Sequence, residues 1–360
     1  IAAPIAITVE GANILTRSLI IYGQGAIRCH PFVLRELAAA GDEDLDRGLI
    51  EFDDALFGHI GYAISNVARS FFLALSHAKF SSVPLNTPTR RYYQNINRYS
   101  AAFALASDFA MLTLGGDLKK RELLSARLGD VLSSIYLASC VLKHFENQGR
   151  RATDLPLVEW SVRTLMYQAQ EALHSFLRNL PNRWAATFLR IFIFPRGRTY
   201  SAPSDELVHK VVELATTPGE ARERLSQQAY TTIEPGNPIG LLEEALQLSI
   251  EFAPLERRLR QAYKEGLIHS EYLGEQIDEA ASAEVINKDE AAKLRDYHEK
   301  VFSLLAVDDF APEDLRRTAS TQADEPSPKP AKKAAKRKQA PRKKVSGKKK
   351  VSRKKKPETE

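Results

Sequence analysis

The residues best placed to do chemistry sit at the front of the chain, in Ile7-Thr-Val-Glu10-Gly11-Ala12-Asn13-Ile14-Leu-Thr-Arg17 and on to Cys29-His30. Glu10 follows an apolar run, Ile5 to Val9, that looks extended, and Gly11 comes directly after it, just before a helical pattern. A carboxylate in apolar surroundings loses hydration, so its charged form is disfavoured and its pKa rises, which suits a general base near neutral pH. Gly11 has no side chain and lets a ligand approach the backbone closely. The plainer alternative is a solvated glutamate or one that faces the positive end of a helix dipole, and the residues alone favour it.

Long helices must position this segment. Leu49, Phe52, Leu56, Ile60, Ile64, Val67, Phe71 and Leu75 recur at three- and four-residue steps, as do Leu124, Leu128, Val131, Ile135, Ala138, Leu142 and Phe145. Such spacing stacks the apolar residues on one face of a helix, and stripes this long predict antiparallel bundle helices. Two more long helices are expected from about Tyr92 to Leu114, closed by Gly115-Gly116, and from about Leu157 to Leu180, closed by Pro181. Beyond Arg198 the helices shorten: Thr217-Pro-Gly-Glu220 reads as a capping box, Asn287-x-x-Glu290 as a weaker one, and Pro235, Pro238 and Pro254 divide the stretch between. The expected fold class is all-α: a long-helix bundle over residues 1–180, a smaller helical unit over 182–316, and a disordered basic tail over 317–360.

Charge supports that division. The net charge of +6 hides 16 Lys or Arg against two Glu from Lys329 onward, a net of +14, which leaves 35 basic and 43 acidic residues before it, a net of −8. The tail has almost nothing apolar to bury and cannot offset its ordering entropy. Its Lys and Arg clusters within residues 329–356 would attract nucleic acid or anionic lipid by releasing counterions; a solubilising extension is the equal alternative. Cys29 and Cys140 are the only cysteines and stand at no metal-ligand spacing, so no structural metal is expected, and Cys29-His30 reads as a helix end. Gly23-Gln-Gly-Ala-Ile-Arg28 lacks the third glycine of a dinucleotide loop and reads as close helix packing, while Arg90-Arg-Tyr-Tyr93 reads as the start of a packed helix. No apolar run approaches the roughly 20 residues that span a bilayer. The first residue is Ile1 rather than Met, and a C-terminal fragment of a longer protein is expected.

Glu10-Gly11-Ala12-Asn13-Ile14-Leu-Thr-Arg17 resembles the E-G-T-x-Q-I-x-R segment of flavin-dependent acyl-CoA dehydrogenases. Ala6 to His30, Ser100 to Asp108, Arg127-Leu-Gly-Asp130 and Asp154-Leu-Pro-Leu157 resemble the large bacterial branch of that family, over about residues 1 to 316. The resemblance implies that Glu10 is the catalytic base, that Gly11 lies against substrate, and that Ala12, Asn13 and Ile14 lie near FAD. Ala12 and Ile14 replace the Thr and Gln that help hold the flavin in the family. It further implies an acyl-CoA substrate oxidised to a trans-2-enoyl-CoA in fatty-acid β-oxidation, an electron-transfer flavoprotein as acceptor, and a homo-oligomer. The expected location is the cytoplasm, with the inner face of the membrane as a possible contact of the tail. The rival from another class is a helical scaffold that binds nucleic acid or anionic membrane through its tail.

Overall fold

The computed structural model describes Val9, Ala12, Asn13 and residues 15–83 and 88–306. The tail and residues 5–8 of the run expected to be extended lie outside these residues, and Val9 itself is helical. Among the described residues there are twelve α-helices and no strand. A π-helix, Thr16–Gln24, runs into α1 (Gly25–Arg28); α2 (Val33–Ala40), α3 (Leu45–Leu75), α4 (Arg90–Leu114), α5 (Glu122–Asn147) and α6 (Leu155–Asn179) follow. Shorter helices come next: α7 (Arg183–Ile193), α8 (Asp205–Thr216), α9 (Glu220–Ser226), α10 (Pro238–Lys264), α11 (Leu273–Ser282) and α12 (Lys288–Leu305). Residues up to Tyr297 form one compact unit; a second begins at His298 and is described as far as Ala306, as the last turns of α12.

The long helices end where backbone chemistry stops them. Gly115, at φ +50°, caps α4 in a conformation that favours glycine, and Leu180 turns extended before Pro181. The core lies among α4, α5, α6 and α7, where Leu105, Leu128, Leu142, Met166, Leu173 and Leu189 are fully buried. The stripe from Leu124 to Phe145 is buried throughout, as its spacing predicts. By length and composition α4 is apolar enough to cross a bilayer, yet it buries Tyr99, Leu105, Ala106 and Ala110 in this core.

In α3 the structure departs from the expected face. Its helix is as long as expected, but Leu49 is 62% exposed and Ile64 64%, and the buried positions are Gly48, Ala55, Asn66, Ser70 and Ala74. Small and polar residues let α3 lie close to α2, α4 and α7, and they outcompete the bulky stripe for that side.

The caps differ as well. Thr217 ends α8, and α9 starts from Gly219, because Glu220 is drawn to Arg151 and Arg224 rather than back to the Thr217 backbone. The box at Asn287 forms in full: its side chain accepts from the Glu290 N–H at 2.8 Å, and its own N–H donates to the Glu290 carboxylate at 2.8 Å. Pro238 opens α10, but Pro254 lies inside that helix rather than dividing it.

Candidate active-site segment and its buried supports

Glu10, Gly11 and Ile14 lie outside the described residues; Ala12 and Asn13 are helical and exposed. The chain just after them is tied down firmly. Arg17 meets Asp130 of α5 through a fork of two hydrogen bonds, Nε to Oδ1 at 2.6 Å and Nη2 to Oδ2. The Asp130 bond, more than its charge alone, raises the Arg17 pKa further above the ordinary arginine value. One residue earlier in α5, Gly129 lets the π-helix backbone come in: a Cβ there would stand 2.7 Å from the Arg17 carbonyl oxygen. No side chain other than hydrogen fits so close a backbone approach. Tyr22, 1% exposed, plugs the same contact and meets Phe103 of α4 edge-on at 6.1 Å. Burial pushes its hydroxyl well above the usual tyrosine range; Ser107 lies beside it, though neither hydroxyl makes a hydrogen bond of normal geometry.

The segment is held a second time at its far end. Cys29 caps α1 and is exposed, whereas His30 turns inward. Its Nδ1 accepts from the backbone N–H groups of Phe32 and Val33, both at 3.2 Å, and its Nε2 stands 3.0 Å from Asp108 Oδ1 of α4. Two donors on Nδ1 fix the tautomer, so Nε2 carries the hydrogen and donates to the carboxylate. Both side chains are 7% exposed. Asn66 of α3 donates to the other Asp108 oxygen at 3.4 Å. His59 of α3 packs 4.6 Å from the His30 ring and donates from Nδ1 to Glu36 Oε1 at 2.7 Å; Gly58 makes room for the Phe32 ring beside it.

His30, His59 and Asp108 bring three ligand-type atoms within 4.8 Å of one another. A cation there would need the Nε2 lone pair of His30, and that nitrogen bears the hydrogen in the tautomer its Nδ1 contacts imply. The arrangement therefore acts as a buried hydrogen-bonded brace that joins the end of the front segment to α3 and α4.

Three of the sequence segments that carried the family resemblance thus meet in space. Arg17 of the first bonds Asp130, and His30 of the first bonds Asp108 of the second. Asp154, at the start of the fourth, pairs with Arg224 of α9. His59 and Glu36 were not legible as partners, because a histidine on a helix and a glutamate 23 residues earlier carry no shared motif. The glycines Gly23 and Gly25 meet only backbone of their own helical segment within 4 Å, apart from the Leu19 side chain, so Gly129 rather than that loop provides the close packing.

Residues 27–310 match the family described as acyl-CoA dehydrogenase, C-terminal, bacterial type. The match starts beyond Arg17 and takes in His30, Asp108, Gly129 and Asp130. No solved structure matches the chain.

Proposed function

We propose a function from one premise: the chain belongs to the family of bacterial-type acyl-CoA dehydrogenase C-terminal domains. Its reaction class is that of an acyl-CoA dehydrogenase, an oxidoreductase. Our reading is that it forms the C-terminal part of an enzyme that oxidises acyl-CoA to trans-2-enoyl-CoA in fatty-acid β-oxidation. Glu10 is the base: its carboxylate takes the proton α to the thioester carbonyl, and the electron pair released forms the double bond as hydride departs from the β-carbon. FAD, when bound, supplies the two-electron acceptor for that hydride. Of the residues assigned near the flavin, Asn13 offers an exposed amide that fits hydrogen bonding to it, while Ala12 offers only its backbone and methyl group. Gly11 gives the substrate room.

The observation that carries this reading is the clamp on the segment that follows Glu10. A base works only when held within hydrogen-bond reach of its proton, and this reading is supported by the way Arg17 with Asp130, Gly129 under the Arg17 carbonyl, and His30 with Asp108 hold the chain from Arg17 to His30. In the same reading the electron acceptor is an electron-transfer flavoprotein, the enzyme is a homo-oligomer, and it works in the cytoplasm with residues 329–356 able to touch polyanions or the inner membrane face. Residues 1–180 then serve as the bundle and 182–316 as an added helical domain.

The test is Glu10→Gln in the intact enzyme. FAD and acyl-CoA should still bind while flavin bleaching by an acyl-CoA, followed by stopped flow, slows about 10²-fold or more. A variant that bleaches at the wild-type rate removes Glu10 from the mechanism.

A further inference from the structure

Charge is distributed unevenly along the first long helix pair. Between Asp54 and Asp108 there is no acidic residue, while Arg69, Lys79, Arg90, Arg91 and Arg98 fall in that interval of a body that is acidic as a whole. Elsewhere in the body Arg17, Arg222, Arg224 and Arg258 are paired with carboxylates. Arg69, Lys79, Arg98 and Arg196 make no ion pair among the described residues.

These cations gather around the turn that ends α3. Arg91 donates to the His77 carbonyl at 2.9 Å, and Gln94 donates to the carbonyls of Lys79 and Ser81 at 3.1 Å each, so α4 holds the turn in shape. His77 and Ala78 sit at φ +50° and +56°, a left-handed conformation that non-glycine residues adopt only when their surroundings hold them there. Arg98, 2% exposed, donates from Nη1 to Thr199 at 2.9 Å and lies over the Tyr99 ring, and its Nη2 has no hydrogen-bond partner. A buried guanidinium without a carboxylate leaves its positive potential uncompensated. Burial first, and then Arg98, Arg196, Lys79 and Arg91, hold the His77 pKa below its ordinary value, which marks all four cations as neighbours of the turn.

A cleft of about 430 Å³ opens beside this turn. Ala68, Phe72 and Leu73 of α3 give it an apolar wall, and Arg69, Ser81, Ser82 and Asn97 give it donors. Asn97 donates to Ser81 Oγ at 2.9 Å, which leaves the Ser81 hydroxyl hydrogen free to point into the cleft. A guanidinium, two hydroxyls and an amide are the donor set that suits phosphate oxygens, and the apolar wall suits a body attached to them.

We propose that this cleft binds a phosphate group carried on an apolar body, with Arg69, Ser81, Ser82 and Asn97 as its direct donors and the surrounding cations as its field. A nucleoside phosphate and a phospholipid headgroup share that chemistry. The proposal does not rest on the reaction assigned to Glu10.

Hydrogen exchange on the full chain locates binding without confusion from the basic tail. With ADP as one probe and phosphatidylcholine vesicles with or without phosphatidylglycerol as the other, the amides of the last turns of α3 and the first turns of α4 should gain protection. Arg69→Ala should weaken the binding that gives this protection about tenfold or more, Ser81→Ala less, and Arg69→Lys should restore part of it. Both side chains line an open cleft, and an unchanged melting temperature will show that the variants fold. Protection by ADP assigns a free phosphate ligand; protection only by phosphatidylglycerol vesicles assigns a headgroup; either supports the site. No protection of these helices by any probe, binding confined to the tail, or protection unaltered in Arg69→Ala overturns it.

Discussion

Gly129→Ala isolates the contact that seats the candidate active-site segment. Alanine at a helix-interior glycine normally stabilises by about 0.5–1 kcal/mol, because it restricts the unfolded chain. At Gly129 the new methyl would stand 2.7 Å from the Arg17 carbonyl oxygen, where ordinary contact begins at 3.4 Å, and both parties are helix backbone. The π-helix and α5 must then separate by about 0.7 Å, an overpacking that costs about 1–3 kcal/mol. At mid-range, a cost of about 2 kcal/mol against a gain of about 0.75 reverses the sign, to a net loss of about 1 kcal/mol. Gly61→Ala in α3 is the matched control: its Cβ meets nothing within 4 Å, so only the stabilising term remains. Thermal unfolding followed by circular dichroism should place the two variants on opposite sides of the wild type, at about 2–4 °C per kcal/mol for a domain of this size. In the intact enzyme, Gly129→Ala should also slow flavin reduction about tenfold or more, since a shift of this order beside a catalytic base spoils its alignment. If both alanines raise the melting temperature alike, the close approach at Gly129 does not exist and the clamp argument fails with it.

Leu128 is fully buried in α5, so Leu128→Asp should cost more than about 3 kcal/mol by leaving a charge unpaired in the core; an unchanged melting temperature would mean that this helix face is solvated. Asn287→Ala should cost about 1 kcal/mol in urea unfolding because it opens a formed capping box, whereas Thr217→Ala should stay within about 0.5 kcal/mol; equal losses would contradict the cap geometry. His77 has its pKa lowered in the folded state, by burial first and then by Arg98, Arg196, Lys79 and Arg91. The unfolded chain therefore binds its proton more readily, and stability present above about pH 6.5 is lost as pH falls below it. Melting temperatures measured from about pH 7.5 down to about pH 5 should decline less steeply in His77→Gln than in the wild type, and a steeper decline in the variant would refute the assignment.

Periodicity and punctuation made the helices legible. The spacing from Leu124 to Phe145 specified both the existence of α5 and its buried face, and Gly115 and Pro181 marked ends that depend only on local backbone chemistry. Composition likewise separated an acidic body from a basic tail. What periodicity could not say is which face of a helix finds a partner: α3 carries an apolar stripe, yet its small residues Gly48, Ala55 and Ala74 allow the closer packing. Nor could it choose between caps, because Glu220 had Arg151 and Arg224 as rivals to the Thr217 backbone, and those arginines reach it only in the folded chain. The front segment shows the same limit. Its residue types suggested a base and a close approach, but the partners that brace it, Asp130 113 residues from Arg17 and Asp108 78 residues from His30, come from helices that return beside it. Helix formation is set by neighbours within about one turn, so one sequence window contains it; a hydrogen-bonded brace is set by where the chain comes back, and only the tertiary structure decides that.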